Sequence, residues 1–247
     1  MIQPAIEVKN LTKKFGDFVA VDHISFTVHK GEIFGFLGAN GAGKTTAMKM
    51  LIGISKATSG EATVAGFDMC TQPDLIKQHI GYMSQKFSLY DDLTVLQNIK
   101  FFGGIYGLSR SEIQLKSAEL IETLQLTEVA KSLVQSLPLG WKQKLSFSIA
   151  MIHQPQIIFL DEPTGGVDPI TRRQFWELIY EATAKGTTAF VTTHYMDEAE
   201  YCDRVSIMVD GKIAALDSPK NLKIMFQAHS MDEVFYQLAR GAKRSDN

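Results

Sequence analysis

The chain has 247 residues, of which 45% are hydrophobic and 21% charged, as in globular proteins with an ample core. The formal net charge of −2 gives no bulk electrostatic reason to expect nucleic acid as a partner. No apolar run reaches the roughly 18 residues of a membrane-spanning helix, and the first residues lack the character of a secretion signal. We therefore expect a soluble cytoplasmic protein with free thiols at Cys70 and Cys202, which reaches a membrane only by docking onto another protein.

The first part of the chain is rich in predicted strands. Alternating apolar and polar residues predict strands at 6–8, 18–21 and 24–28, and residues 32–37 predict a buried strand. A further strand is expected at 61–64, after a turn signal.

A glycine-rich stretch follows the buried strand. Residues 38–45 read GANGAGKT and match the phosphate-loop pattern GxxxxGK[ST]. In such a loop the backbone N–H groups surround a β-phosphate, the lysine lies between the β- and γ-phosphates, and the Thr45 hydroxyl can ligate Mg²⁺. Residues 46–52 predict a helix whose N-terminus points at the anion. The predicted nucleotide-binding residues of this loop are Gly38, Asn40, Gly41, Ala42, Gly43, Lys44, Thr45 and Thr46.

The periodicity becomes helical between about residues 93 and 152, which predicts a helical insertion that we place at about 87–153. Apolar strands are then predicted at 157–160 and 189–192, with a helix at 171–184 between them. This alternation favours a mainly parallel sheet with helices on both faces.

Two acids, Asp161 and Glu162, end the first of these strands in a Walker B pattern. Asp161 is predicted to hold Mg²⁺ and Glu162 to act as general base, although the acids could merely cap the next helix. His194 follows the strand at 189–193 and Gln85 follows a possible strand at 80–83. Each is weak evidence alone, but a strand end in a parallel sheet favours the ligand side.

The order of these motifs resembles the ATP-binding cassette (ABC) ATPase family. The matching segments are the phosphate loop at 38–45, a Q-loop at Gln85, Walker B at 157–162, a D-loop at 166–168 and a switch histidine at His194. The resemblance extends over roughly residues 4–220. It implies an α/β P-loop NTPase of the ABC type, with a mainly parallel sheet core, an antiparallel β-subdomain and an α-helical subdomain. We expect the ATPase domain to span 1–220, followed by a C-terminal amphipathic helix and frayed tail at 221–247.

The resemblance also implies roles for individual residues. Phe15 would stack on adenine, Gln85 would sense Mg²⁺ and the attacking water, His194 would contact the γ-phosphate, and Asp168 would bridge to the opposite subunit. Such ATPases close as head-to-tail dimers, with each ATP between one chain's phosphate loop and the other chain's signature motif. The implied catalytic residues are Glu162, His194 and Gln85, and the implied Mg²⁺ contacts are Thr45, Gln85 and Asp161.

The signature motif departs from the usual LSGGQ. The matching stretch at 137–143 reads LPLGWKQ, so a proline replaces the serine whose hydroxyl bonds the γ-phosphate, a loss of about 1.5–3 kcal/mol. Two interpretations stay open: a working variant in which Lys142 and the helix dipole compensate, or pairing with a partner that carries the usual signature. The predicted contacts across the dimer are Pro138, Leu139, Gly140, Lys142 and Gln143.

Four stretches, 88–95, 165–169, 193–199 and 231–235, most resemble ATPases of bacterial ABC-2-type exporters. This implies a motor subunit on the cytoplasmic side of the inner membrane, working as a homodimer or with a paired ATPase subunit on a separate transmembrane permease. A soluble ABC ATPase acting on a nucleoprotein target and a regulatory ATP-binding module are the alternatives.

A cluster near the Q-loop is expected to receive a cytoplasmic helix of the permease. Its members are Phe87, Leu89, Tyr90 and Leu93. The alternative is that they pack two subdomains together.

At the other end of the chain, residues 230–233 fit a capping box. The expected apolar face of the following helix consists of Met231, Val234, Phe235 and Leu238. Residues 242–245 are expected to be a frayed basic end.

Overall fold

The computed structural model describes residues 4–85 and 89–241. Its strands alternate with helices after a β-rich start, as predicted. The strands are β1 (Pro4–Phe15), β2 (Phe18–His29), β3 (Ile33–Leu37), β4 (Ser59–Val64), β5 (Phe67–Asp68), β6 (Ile80–Met83), β7 (Ile157–Asp161), β8 (Thr188–Thr193), β9 (Arg204–Val209) and β10 (Lys212–Asp217).

The helices fall into three groups: two near the phosphate loop, three in the middle of the chain and three after β7. They are α1 (Lys44–Leu51), α2 (Pro73–His79), α3 (Val95–Ile105), α4 (Arg110–Thr123), α5 (Leu139–Ala150), α6 (Pro169–Ala184), α7 (Pro219–Met225) and α8 (Met231–Gly241). Short 3₁₀-helices lie at Thr127–Val129, Val134–Ser136 and Met196–Tyr201. Among the described helices, none is long and apolar enough to cross a membrane.

The strands form two sheets within the described residues. One is mainly parallel, in the order β10-β9-β3-β8-β7-β6, with only β10 antiparallel to its neighbour. The other is antiparallel, in the order β2-β1-β4-β5. The predicted fold class is therefore confirmed.

Two predicted strands, 18–21 and 24–28, are one strand, which corrects the sequence interpretation. The break in alternation at Asp22-His23 is a bulge, where His23 has φ of 51° and the register against β1 shifts. The helix predicted at 46–52 begins two residues earlier, because Gly43 is its N-cap.

Aromatic side chains join the two sheets. Phe26 of β2 stacks on Phe34 of β3 with ring centroids 5.5 Å apart, and Phe36, Phe159 and Phe190 extend the cluster with centroids 5.3 Å apart between neighbours. Every residue of β3, β7 and β8 is buried, since the opposite face of the parallel sheet is covered as well.

That opposite face packs against the last helices of the chain. Trp176 of α6, Leu222 of α7 and Val234 of α8 belong to one core cluster with the parallel strands. In α8 the predicted apolar face is confirmed, and Ser230 Oγ accepts a hydrogen bond from Glu233 N at 3.2 Å. The basic stretch at 242–245 lies outside the described residues.

The middle helices have a core of their own, which includes Val95, Leu120 and Leu145. Both α3 and α4 begin with a complete capping box, at Thr94 and Ser109. The helical character predicted for 93–152 is thus confirmed, interrupted by two of the 3₁₀ turns. The boundaries drawn at 87–153, 220 and 221 stay predictions.

His153 joins the helical region to the parallel sheet. Its ring stacks on Tyr106 at 3.9 Å between centroids, and Nε2 donates to Ile80 O at 3.0 Å. Nδ1 is buried and has no hydrogen-bond partner among the described residues, so the ring is held neutral. Burial lowers the pKa of His153, and the nearby Lys116 charge lowers this pKa further.

A pH-dependent stability follows from this junction. The unfolded chain binds a proton at His153 near pH 6.5 and the folded chain only at lower pH, so this contribution to stability is lost as the pH falls from about 6.5 through the folded-state pKa. Between pH 7.5 and 5.5 we expect the free energy of unfolding in urea to fall more for the wild type than for His153→Phe, by at most about 1.4 kcal/mol per pH unit. Phe keeps the stacking and cannot titrate; equal losses in both proteins would contradict the assignment.

Candidate nucleotide-binding and hydrolysis site

The phosphate loop lies between β3 and α1, as the sequence predicts. Gly43 has φ of 102°, and a Cβ there would lie 2.3 Å from Ala20 O, so only glycine fits. Gly41 has φ of 83° and open space around it. The turn between β9 and β10 holds the loop, because Ala42 O accepts a hydrogen bond from Gly211 N at 3.2 Å. Its backbone is thus preformed, and the N-terminus of α1 faces the space that an anion would occupy.

Lys44 places a buried positive charge at this loop. Its Nζ donates to Gly38 O at 2.7 Å and to Ala39 O at 3.1 Å, and lies 3.5 Å from Glu162 Oε1. Burial lowers the pKa of Lys44, while the negative charges of Glu162 and Asp161 raise it and oppose that effect. The ammonium is therefore held by weak carbonyl acceptors and one carboxylate, which phosphate oxygens can replace.

A cavity of about 470 Å³ opens beside the loop. It brings together most of the predicted nucleotide-binding residues. Its lining consists of Phe15, Phe18, Ala20, Asn40, Gly41, Gly43, Lys44, Thr45, Thr46, Gln85 and Glu162. Gly38 and Ala42, also predicted, shape the loop beside it without lining it.

Phe18 is a lining residue that the sequence interpretation missed. It pairs with Phe15 at the end of the β1–β2 hairpin. Phe18 is 64% exposed and Phe15 is 56% exposed. The signal that could have identified Phe18 is the pair of phenylalanines flanking a two-residue turn. A lone exposed ring is common, but a pair beside a phosphate loop is suited to a nucleobase.

Asp161 and Thr45 meet where a metal would lie. Thr45 Oγ1 donates to Asp161 Oδ1 at 3.1 Å, and Thr192 Oγ1, which the sequence interpretation missed, donates to the same oxygen at 2.6 Å. These are the oxygen ligands that Mg²⁺ prefers. No group of three or more His, Cys, Asp or Glu side chains able to hold a metal occurs in the described part of the chain. Thr45 and Asp161 therefore fit Mg²⁺ and are the residues that would hold it.

Glu162 is the point at which the predicted catalytic residues converge. Gln85 Nε2 donates to Glu162 Oε2 at 2.9 Å, and His194 Nδ1 lies 3.0 Å from the same oxygen. Because an ionised carboxylate only accepts, Nδ1 carries the proton in this contact.

The backbone of Glu162 is strained and tightly held. Its φ is 49°, an uncommon value for a residue with a side chain. Its N–H donates to Thr192 O and Thr192 Oγ1, each at 3.1 Å, and its carbonyl accepts from Gly165 N at 3.1 Å. The sequence interpretation named the residues that meet at this point, whose catalytic roles stay predictions, but it gave no sign of the turn that presents the carboxylate.

The predicted signature residues lie on another part of the surface. Pro138 is the N-cap of α5, Leu139 is exposed, and Gly140 packs so closely on α6 that a Cβ would lie 2.8 Å from Thr171 Cγ2. Lys142 Nζ pairs with Asp91 Oδ1 at 3.0 Å, and Gln143 is buried. None of these residues lines the cavity beside the phosphate loop, so their nucleotide contacts across a dimer stay a prediction.

Asp168 caps α6 in the structure. Its carboxylate accepts from Ile170 N and Thr171 N, each at 3.0 Å, and from Thr171 Oγ1 at 2.6 Å. Hydrogen bonds from Thr171 and Ile170 lower the pKa of Asp168. The predicted bridge to an opposite subunit remains untested, and the carboxylate is already engaged within its own chain.

The cluster expected to receive a permease helix is divided. Phe87 lies outside the described residues, and Leu89 is buried in the core of the helical region, as the packing alternative requires. Tyr90 is exposed and makes an edge contact with the exposed Phe101 at 5.0 Å. The accessible aromatic surface here is therefore Tyr90 with Phe101.

Comparisons with known proteins agree with this geometry. The family model described as "ABC transporter" matches residues 21–165. The "Probable multidrug ABC transporter ATP-binding protein YbhF" of Escherichia coli K12 is 48% identical over 96% of this chain, which spans only 42% of that relative.

Solved structures extend the match to the fold. The structure of an ATP-binding subunit of an ABC transporter aligns with a TM-score of 0.84 and 27% identity over 95% of this chain and 99% of the other. A dimeric post-hydrolysis state of the ATP-binding cassette MJ0796, bound to ADP and Pi, aligns with a TM-score of 0.77 and 25% identity over 86% of this chain and 98% of the other. The chain belongs to the ABC transporter family, in which it is an ATP-binding domain.

Proposed function

We propose that this chain binds ATP with Mg²⁺, hydrolyses it, and as a dimer drives a membrane exporter. The observation that carries the proposal is the convergence of Gln85, His194 and Lys44 on the Glu162 carboxylate, beside a preformed phosphate loop. A purely structural acid would not be presented by a strained backbone to three such groups.

Nucleotide binding uses groups that are already in place. The loop N–H groups and the N-terminus of α1 bind the β-phosphate, and Lys44 exchanges its carbonyl acceptors for phosphate oxygens. Phe15 and Phe18 offer flat apolar surfaces to the base. Thr45, Asp161 and Gln85 would hold Mg²⁺, which would supply positive charge to the phosphate oxygens.

For hydrolysis, Glu162 accepts the proton of the attacking water. The Gln85 amide and the His194 Nδ1–H orient its carboxylate. Because these groups are fixed before the reaction, little reorganisation is needed in the transition state.

Coupling to a membrane is supported by the relatives. YbhF is named as a probable multidrug transporter ATP-binding protein, and the MJ0796 cassette is described as a dimer bound to ADP and Pi. We propose an ABC-2-type permease as partner, contacted at Tyr90 and Phe101 from the cytoplasmic side of a bacterial membrane. Nucleic acid is not expected as a partner, given the net charge of −2.

The altered signature favours a second candidate, a regulatory ATP-binding module with little turnover. Pro138 has no N–H and no hydroxyl for a phosphate, and Lys142 is paired with Asp91. The rate of ATP hydrolysis distinguishes the motor subunit from the regulatory module.

The first prediction concerns Glu162→Gln. Loss of the general base is expected to lower kcat for ATP by about 10²–10⁴-fold while ATP affinity stays within about threefold. Steady-state phosphate release and nucleotide titration measure the two quantities. The matched control is Glu177→Gln, an exposed residue of α6, which should retain wild-type turnover. Normal turnover of Glu162→Gln would remove this carboxylate from the mechanism.

The second prediction concerns dimer formation. With hydrolysis blocked by Glu162→Gln, ATP and Mg²⁺ are expected to double the mass measured by light scattering, whereas ADP is not, because closure depends on the γ-phosphate. A homodimer would show that the signature at 137–143 is sufficient for two copies of this chain to close around ATP. A persistent monomer would contradict the homodimer, and mixing with the paired ATPase subunit would then test the asymmetric model.

The third prediction concerns the contacts of Phe15 and Phe18 with the adenine base of ATP. Phe18→Ala is expected to weaken ATP binding as much as Phe15→Ala does, by about two- to tenfold each, since aromatic pairs contribute about 0.5–1.5 kcal/mol. Tyr180→Ala, an exposed aromatic of α6, is the control. If Phe18→Ala binds ATP like the wild type, Phe18 plays no part in the site.

A further inference from the structure

A buried carboxylate, Glu198, lies behind the catalytic groups. It is 0% exposed and belongs to the 3₁₀-helix that follows His194 by two residues. The hydroxyl of Thr164, which is 1% exposed, donates to Glu198 Oε1. Since Thr164 lies two residues after Glu162, this hydrogen bond ties the turn after Glu162 to the segment after His194.

A third element, α6, reaches the same carboxylate through Arg172. Its Nε lies 3.6 Å from Glu198 Oε1, and its Nη1 donates to Asp197 Oδ2 at 3.2 Å. The guanidinium also lies over the Tyr195 ring, 4.4 Å from its centroid, and that ring is 4.0 Å from the His194 ring. The arginine therefore connects the helix that Asp168 caps to the neighbour of the switch histidine.

A carboxylate buried to this extent is costly unless it is hydrogen-bonded and paired. In the described part of the chain, Glu198 Oε2 and Arg172 Nε have no hydrogen-bond partner, so Oε1 accepts a hydrogen bond from the Thr164 hydroxyl and forms an ion pair with Arg172. Core packing alone would be served better by an apolar residue of the same size. The arrangement therefore calls for an explanation beyond stability.

The strained turn at Glu162 gives a reason for a buried carboxylate at Glu198. Thr192 holds the turn on its N-terminal side, through two hydrogen bonds to Glu162 N. On its C-terminal side, the side-chain anchor is Thr164 on Glu198. A left-handed residue with a side chain persists only where its surroundings hold it on both sides.

We propose that Glu198 is a positioning residue for hydrolysis: through Thr164 it fixes the turn that presents Glu162, and with Arg172 it fixes the His194 segment relative to the start of α6. The proposal rests on the proposed ATPase function.

The test uses an isosteric pair in the full chain. Thr164→Val removes the hydroxyl and keeps the shape, whereas Thr164→Ser keeps the hydroxyl. We expect kcat for Mg²⁺-ATP to fall about tenfold or more in Thr164→Val, with KM within about twofold of the wild type, and to stay within about twofold in Thr164→Ser. Unchanged kcat in Thr164→Val, or an equal loss in both variants, would overturn the proposal.

A double mutant and an activity-independent readout complete the test. The reduction in Thr164→Val/Glu198→Gln should be smaller than the product of the single reductions, because both remove one hydrogen-bonded unit. In ¹⁵N spectra, His194 should occupy one tautomer in the wild type and a mixture in Thr164→Val, with His194→Gln identifying its signals. A single tautomer in both would overturn the proposal even if neither protein hydrolysed ATP. Absence of turnover in the wild type would instead count against the proposed function.

Discussion

The register of the parallel sheet is the constraint on which the site depends. Leu37 of β3 lies beside Thr193 of β8, and Asp161 of β7 lies beside Thr192 of the same strand. Parallel strands in register end at one edge, so whatever follows them in sequence is brought together there. The phosphate loop lies more than a hundred residues before the acidic pair, and His194 lies 32 residues after Glu162; they meet because three buried strands are aligned.

That register depends in turn on burial of both sheet faces. The aromatic cluster around Phe190 occupies one face, and α6 and α8 cover the other. A slip of one residue would move every side chain to the opposite face and would turn the phenylalanines away from Phe26 and toward the helices. The sheet edge beside the phosphate loop is therefore held in register by core residues far from that loop. The geometry of the site depends on the packing of the core.

The sequence was informative where chemistry depends on local pattern. The phosphate loop, the acids at the end of β7 and the apolar stripe of α8 follow from spacing, whereas Gln85 and His194 were weak signals until the order of motifs resembled the ABC family. Features that depend on long-range contacts were missed: β9 and β10, the bulge at His23, Thr192 beneath Asp161, and Phe18 opposite Phe15. A threonine within a buried strand has no sequence signal that distinguishes a packing role from a hydrogen bond to a carboxylate such as Asp161, because only the partner strand decides which it is.

The altered signature is best understood through the strength of its salt bridge. Lys142 is 17% exposed and Asp91 66% exposed, so their pair contributes at most about 1 kcal/mol. A bond from the same ammonium to a phosphate is worth about 1.5–3 kcal/mol. If the proposed dimer brings a nucleotide to Lys142, exchanging Asp91 for a phosphate would therefore cost little. The Tyr90 segment stays in place in such an exchange, because Asn98 Oδ1 accepts from Tyr90 N at 2.8 Å and Asn98 Nδ2 donates to Tyr90 O at 3.0 Å. In the proposed dimer, Lys142 would thus offset part of the phosphate contact that the proline at the serine position removes.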